Sequence, residues 1–219
     1  MRPFLLFLIA LLCTVSAASA GPITYAVAVN TSSVAGTAGS LDVQFNPGPL
    51  VSQAASLQIL SFASNGTLAG GPCLTGGPCL TGDVSGGPLP ATLMFDNGTG
   101  FNDYFQGFTF GSTISFKVSL FGSALSSPDG TSTSGSTFAF SMFSDPAGTV
   151  PVLTSDTTDG FAFMVDVNLG GTTTVTNFSS QTSVTPLTSG APEPSSLALV
   201  GVAIGLLGTL RLRHLHVGD

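Results

Sequence analysis

The sequence of 219 residues predicts an all-β fold: an antiparallel two-sheet sandwich, jelly-roll-like in arrangement. Three observations predict it. Apolar residues alternate with small or polar ones in several rows, the signature of strands with one buried face. Turn-forming clusters separate those rows. Helix-forming side chains are scarce, since Glu193 is the only Glu and charged residues make up 7% of the chain.

The rows follow the chain in order. Ile23 to Val29 is a short first candidate, followed by Leu41, Val43 and Phe45 alternating with Asp42 and Gln44. Ser56 to Phe62, Ala91 to Phe95 and Phe105 to Phe110 are further short segments. Ile114, Phe116, Val118 and Leu120 form a long row, with Lys117 on its solvent side. Phe138, Phe140 and Met142 form another, and so do Phe161, Phe163, Val165, Val167 and Leu169. Thr172 to Phe178 closes the series. Asn46-Pro-Gly-Pro49, Asn65-Gly66, Asn97-Gly98, Pro128-Asp-Gly130, Asp145-Pro146 and Asp159-Gly160 supply the turns. Eight or nine strands result, with the 17 Phe mostly on the inward faces. A β-helix would need a fixed repeat length, and none is present.

The two ends read differently from this domain. Arg2, an apolar run from Phe4 to Val15 and then Ala18-Ser19-Ala20 form a signal peptide over residues 1–20, cut before Gly21. The run is short for a membrane span, and Leu12 before Cys13 is too large for a lipoprotein signal. At the other end Pro192-Glu193-Pro194 breaks structure ahead of an apolar stretch. Ser195 to Leu212 has 18 residues, long enough as a helix for ~27 Å against a bilayer core of ~30 Å. Arg211 and Arg213 follow as a stop-transfer signal on the cytoplasmic side. A single transmembrane helix over about 195–212 is therefore expected, with an exported domain of residues 21–191 before it. Gly201 and Gly205 lie within that helix at a spacing compatible with helix packing or with simple flexibility.

Pro192-Glu193-Pro194, the Gly-studded apolar stretch and the basic end together resemble the PEP-CTERM sorting signal of Gram-negative bacteria, over residues 192–219. The same kind of tail has been labelled an ice-binding-protein C-terminal domain. The resemblance implies an exosortase-type processing enzyme as partner and a place in the cell envelope or extracellular matrix, associated with exopolysaccharide or biofilm. The family tail usually ends in a denser basic cluster; here His214, His216 and Asp219 accompany the two Arg. Phe101-Asn-Asp-Tyr-Phe-Gln-Gly-Phe-Thr-Phe-Gly111 is similar to ectodomains of PEP-CTERM proteins whose role is unassigned.

Charge excludes whole classes of function. Between Gly21 and Ala191 Lys117 stands alone against nine Asp (42, 83, 96, 103, 129, 145, 156, 159 and 166), a formal charge of −8. Such a surface repels phosphate backbones, so nucleic acid is not an expected partner. Both His residues lie in the tail, which removes His-based triads and His-ligated zinc from the exported domain. An Asp-only carboxylate pair stays formally open, but no spacing points to one. No enzyme activity and no cofactor are expected.

Residues 70–90 are a Gly/Pro/Cys loop insertion containing a tandem Gly-Gly-Pro-Cys-Leu-Thr hexapeptide. Cys73 and Cys79 within it can close a disulfide in an oxidising compartment, or remain two thiols of a duplicated segment. Cys13 departs with the signal peptide. Asp96, Asn102 and Asp103 frame a loop whose oxygens suit Ca²⁺, although Gly98 and Gly100 stand where an EF-hand has ligands. Asp and Asn are equally ordinary turn formers, as at Asp156 and Asp159. The Thr172–Thr176 run is too short for the long array of an ice-binding face, and Thr131–Thr137 reads as a flexible loop. Two functions fit: a non-enzymatic envelope or matrix protein, or a carbohydrate-binding surface module, with Ca²⁺ as an optional helper.

Overall fold

The computed structural model describes residues 21–187, which belong to one compact unit spanning Gly21–Ser189. The signal peptide with Ala18 and Ala20, the sorting motif Pro192, Glu193 and Pro194, the helix at 195–212 and the stop residues Arg211 and Arg213 lie outside the described residues. No described helix is long and apolar enough to cross a membrane.

Among the described residues, thirteen strands form two antiparallel sheets. They are β1 (Ile23–Asn30), β2 (Ala38–Pro47), β3 (Ser56–Ser64), β4 (Thr67–Leu68), β5 (Cys79–Thr81), β6 (Val84–Gly86), β7 (Leu93–Asp96), β8 (Asp103–Thr109), β9 (Thr113–Phe121), β10 (Ser136–Phe143), β11 (Phe161–Val167), β12 (Thr173–Asn177) and β13 (Thr182–Leu187). The first sheet runs β13-β1-β9-β3-β7-β6 and the second β12-β11-β10-β2-β8-β4, with β5 also on β8. The one described α-helix is a single turn, α1 (Ser123–Ser126).

The alternating rows face inward as the sequence predicts. Leu41, Val43 and Phe45 of β2 are buried, as are Ile114, Phe116, Val118 and Leu120 of β9 and Phe138, Phe140 and Met142 of β10. Lys117 is exposed. Phe116 reaches from the first sheet into the second, its ring centroid 5.1 Å from Phe140 and 6.4 Å from Phe163. Phe62 stacks on it from the same sheet at 6.3 Å. Phe62 reaches that position through a bulge. The β3–β9 register shifts between Leu60 and Ala63, and Ser61 takes a left-handed φ of 55°. The extra residue changes the phase of the strand, so that Phe62 follows Leu57 and Ile59 onto the core face.

Several expectations need correction. Nine strands are present where the rows put them, but β4, β5, β6 and β13 bring the total among the described residues to thirteen. Leu169 does not continue the β11 row; it lies beyond the strand end and is 55% exposed. The 70–90 segment is not merely a loop, because it contributes β5 and β6 and buries Leu89. Its anchor is the free edge of β8. Thr67 and Leu68 pair with Thr109 and Phe108, while Cys79, Leu80 and Thr81 pair with Phe105, Tyr104 and Asp103. Between these short strands, Gly107 accepts a bond from Ala69 N–H at 2.8 Å and donates to Gly76 O at 2.9 Å. The edge is thereby covered along its length, which removes a template for unwanted strand pairing.

Phe116 is the ring that joins the sheets, so its loss leaves a cavity that neither sheet can close. Phe116→Ala is expected to cost ~3–5 kcal/mol, whereas Phe101→Ala, at a half-exposed ring, is expected to stay within ~0.5 kcal/mol. Denaturant unfolding of the two variants measures the difference.

Candidate functional site

Three regions carry polar chemistry. The first is the clasp on β8. Cys73 and Cys79 are bonded to each other, with Cα atoms 4.9 Å apart. The loop they close is tied internally by Thr75 N–H and Gly77 N–H, both donating to Pro72 O at 3.0 Å. Beneath it, Tyr104 and Gln106 are buried on β8. Tyr104 Oη donates to Gln106 Oε1 at 2.5 Å and accepts from Leu89 N–H at 3.0 Å, and Gln106 Nε2 donates to Ala69 O at 2.7 Å. Both arms of the Gly/Pro segment are thus held by one buried polar pair. The Tyr104 hydroxyl is pushed up by burial, partly offset by the Leu89 N–H.

The second region is the outer face of the second sheet, where Asp42, Gln44 and Asn46 stand in file along β2. Asn46 Nδ2 donates to Gln44 Oε1 at 3.2 Å, and Gln44 Nε2 donates to Asp42 Oδ2 at 2.9 Å. Asp103 of β8 sits opposite Gln44 and in side-chain hydrogen-bond contact with Asp42. Asp42 Oδ1 and Asp103 Oδ1 are buried and meet no donor from any other residue. A proton held on Asp103 accounts for the contact between two carboxyl groups. Burial first, and then the hydrogen bond and charge of Asp42, push the Asp103 carboxyl up to about 9. Carboxyls this close differ from the pairs of glycoside hydrolysis, which are separated by ~5 Å or more.

This arrangement also disperses the proposed calcium loop. Asp103 belongs to strand β8 and turns to Asp42, while Asp96 accepts from Ser56 Oγ at 2.5 Å. Asn102 is fully buried and spends its side chain inside the protein. Its Nδ2 donates to Phe45 O and Thr99 O, and its Oδ1 accepts from Asp83 N–H and the Thr99 hydroxyl. No group of three metal-ligating acids, His or Cys exists among the described residues. The other acidic turns are structural. Ser132 and Thr131 N–H groups, with the Ser132 hydroxyl, hold Asp129 below the ordinary carboxylate range. At Asp145 and Asp156 desolvation acts upward but is outweighed by several backbone N–H donors, so both also sit low.

The third region is a cleft of about 820 Å³ at one end of the sandwich. Three separate stretches line it: Asn30, Ser32 and Ser33 after β1, Leu153 to Ser155 between β10 and β11, and Asn177 to Gln181 at the β12–β13 turn. Val152 N–H donates to Met142 O at 2.9 Å and Ser155 N–H to Phe178 O at 2.8 Å, pinning the middle stretch to β10 and to the β12–β13 turn. Leu153 between them holds a left-handed φ of 57°, a conformation that costs a non-glycine residue ~1–3 kcal/mol. Asn177 fixes the turn, donating to Thr182 O and accepting from Ser179 N–H. No side chain of this cleft stood among the sequence candidates, because it is built from three separate stretches, the first of them more than a hundred residues before the other two.

The acid pair makes stability depend on pH in a defined direction. Asp103 titrates higher in the folded chain than in the unfolded one. The stability it contributes is complete below the unfolded carboxylate value of ~3.9 and is lost as pH rises toward about 9. Asp129, Asp145 and Asp156 act oppositely, losing their contribution only as pH falls below the ordinary carboxylate range. The melting temperature is therefore expected to peak near pH ~4–5 and decline toward pH 8. One titrating proton gives at most ~1.4 kcal/mol per pH unit, and the partial exposure of Asp103 reduces that. Asp103→Asn is expected to flatten the decline and raise the melting temperature at pH 8, as thermal scans across pH would measure.

Compared with protein-family models, curated proteins and solved structures, the chain has no significant match in any of the three.

Proposed function

We propose that this chain is a non-enzymatic, exported cell-envelope or extracellular-matrix protein, sorted through a PEP-CTERM-type tail and associated with exopolysaccharide. In this reading residues 1–20 are a cleaved signal, residues 195–212 a transmembrane helix, and Pro192-Glu193-Pro194 the motif that an exosortase-type enzyme recognises. The observation that carries the reading is the match of borders. The compact unit Gly21–Ser189 starts at the expected signal cut and stops just short of the Pro-Glu-Pro motif.

Two further features support it. β1 and β13 are neighbours, with Thr24 opposite Leu187, so the chain enters and leaves the domain at one end, as suits a body on a single anchor. Between Gly21 and Leu187 there is no His, and the only two Cys are joined, which leaves no nucleophile–base pair of the usual kinds. The strand order also supports the jelly-roll-like reading. β1-β9-β3-β7 lies in one sheet and β2-β8 with β4 and β5 in the other, so the chain passes repeatedly between sheets. A second reading, a carbohydrate-binding surface module, is favoured by the uncharged cleft.

Mass spectrometry of both termini, on protein from native envelope and culture medium, tests the sorting. An amino terminus at Gly21 and a carboxyl terminus near Pro192 to Pro194 are expected. A chain still ending at Asp219 in both fractions would leave the protein permanently anchored and the motif without a sorting role.

A further inference from the structure

We infer that the cleft between Asn30, Leu153 and Gln181 is a binding site for an uncharged, polyhydroxylated chain, that is, a neutral polysaccharide segment. The inference rests on the reading of the domain as a carbohydrate-binding surface module, and it adds the place and the charge class of the ligand.

The chemistry of the lining selects the class. The walls carry hydroxyl and amide groups with one phenyl ring, Phe178, and no charged side chain. Sugar rings present dense hydroxyls along with apolar C–H faces, which such a surface matches. Asn177, Thr154 and Ser155 spend their polar atoms on the protein itself, whereas Asn30 and Gln181 keep capacity for a ligand. Asn30 Oδ1 accepts from Ser32 N–H at 3.1 Å, which leaves its Nδ2 as a donor, and the Asn30 side chain is exposed. Gln181 Nε2 reaches only Ser180 Oγ at 3.4 Å, leaving Gln181 Oε1 as an acceptor. The volume, about 820 Å³, lies in the range of ligand sites, ~300–1,000 Å³.

Electrostatics removes the acidic alternatives. Asp156 and Asp159 follow directly on the Leu153–Ser155 wall, and the domain carries nine Asp to one Lys. A uronate or sulfated polymer would approach a negative surface with no cation to meet it. The left-handed Leu153 gives the wall its shape at a conformational cost. It is held there by backbone bonds to β10 and to the β12–β13 turn, the pattern of a surface built for contact rather than for stability.

In the β1–β13 register, Thr24 opposite Leu187 marks the end where the chain enters and leaves, and Val29 opposite Thr182 marks the other. Asn30 N–H donates to Gln181 O at 2.9 Å beyond that second end. The cleft thus begins six residues along the strand from the end where the chain enters and leaves, ~20 Å at strand rise.

Affinity gel electrophoresis of the detergent-purified full chain tests the site, with gels containing dextran, laminarin, mannan or xylan, and polygalacturonate as the acidic comparison. Retardation by at least one neutral polymer and none by polygalacturonate is expected. The double variant Asn30→Ala/Gln181→Ala is expected to weaken that binding by about tenfold or more with an unchanged melting temperature. Three results would each overturn the inference: no retardation of the folded chain by any of the four neutral polymers, equal binding to polygalacturonate, or full binding by the folded double variant. These results do not touch the surface reading, which the termini of the native protein decide separately.

Discussion

The structure depends on phenyl rings meeting between two sheets. The domain has one cation, Lys117, so ion pairing offers almost nothing to hold the sheets together. Phe116 from one sheet instead meets Phe140 and Phe163 from the other, and Phe138 packs edge-on against Phe163 at 5.5 Å. Apolar burial is non-directional, so this core could not by itself choose a register. Register comes from the period-2 rows, since a slip of one residue would turn Phe138 and Phe140 out to water. The bulge at Ser61 shows the same rule from the other side: the backbone accepts a left-handed residue so that Phe62 can join the cluster.

A second constraint follows from having two open sheets. The outer edge of β8 would expose a full strand of unpaired backbone groups next to Phe105 and Phe108. The chain covers it with a segment poor in strand formers, rich in Gly and Pro, held at one point by Cys73–Cys79 and from beneath by Tyr104 and Gln106. Glycine has a steric reason there. A Cβ at Gly107 would stand 2.8 Å from Gly76 O, and one at Gly77 would fall on the Gly71 carbonyl. The low complexity of the tandem hexapeptide is therefore compatible with a defined shape, because the template is β8 rather than the segment itself.

How much of this was legible in the sequence follows from the range of the forces involved. β2, β9, β10 and most of β11 were legible because their pattern is local. β4, β5 and β6 were not, being two or three residues long and existing as strands only against β8 or β7. β13 was missed because, as an edge strand with Pro186 in it, it carries little apolar signal. Asp103 read as a loop ligand because Asn97 to Asn102 is a turn-rich run, yet the strand begins one residue later and places its carboxyl against Asp42. The cleft was invisible for a different reason: three separate stretches build it, and none has a motif.

The domain that emerges has two unlike ends, one where β1 begins beside the end of β13, and one where the uncharged cleft opens. That polarity is compatible with the proposed role at the cell surface. Protease shaving of intact cells, with peptides identified by mass spectrometry, addresses that role most directly. The account predicts that peptides spanning the β12–β13 turn and the loop at Leu153 are released without lysis, ahead of cytoplasmic marker proteins. Release of those peptides only after the cells are broken would contradict it.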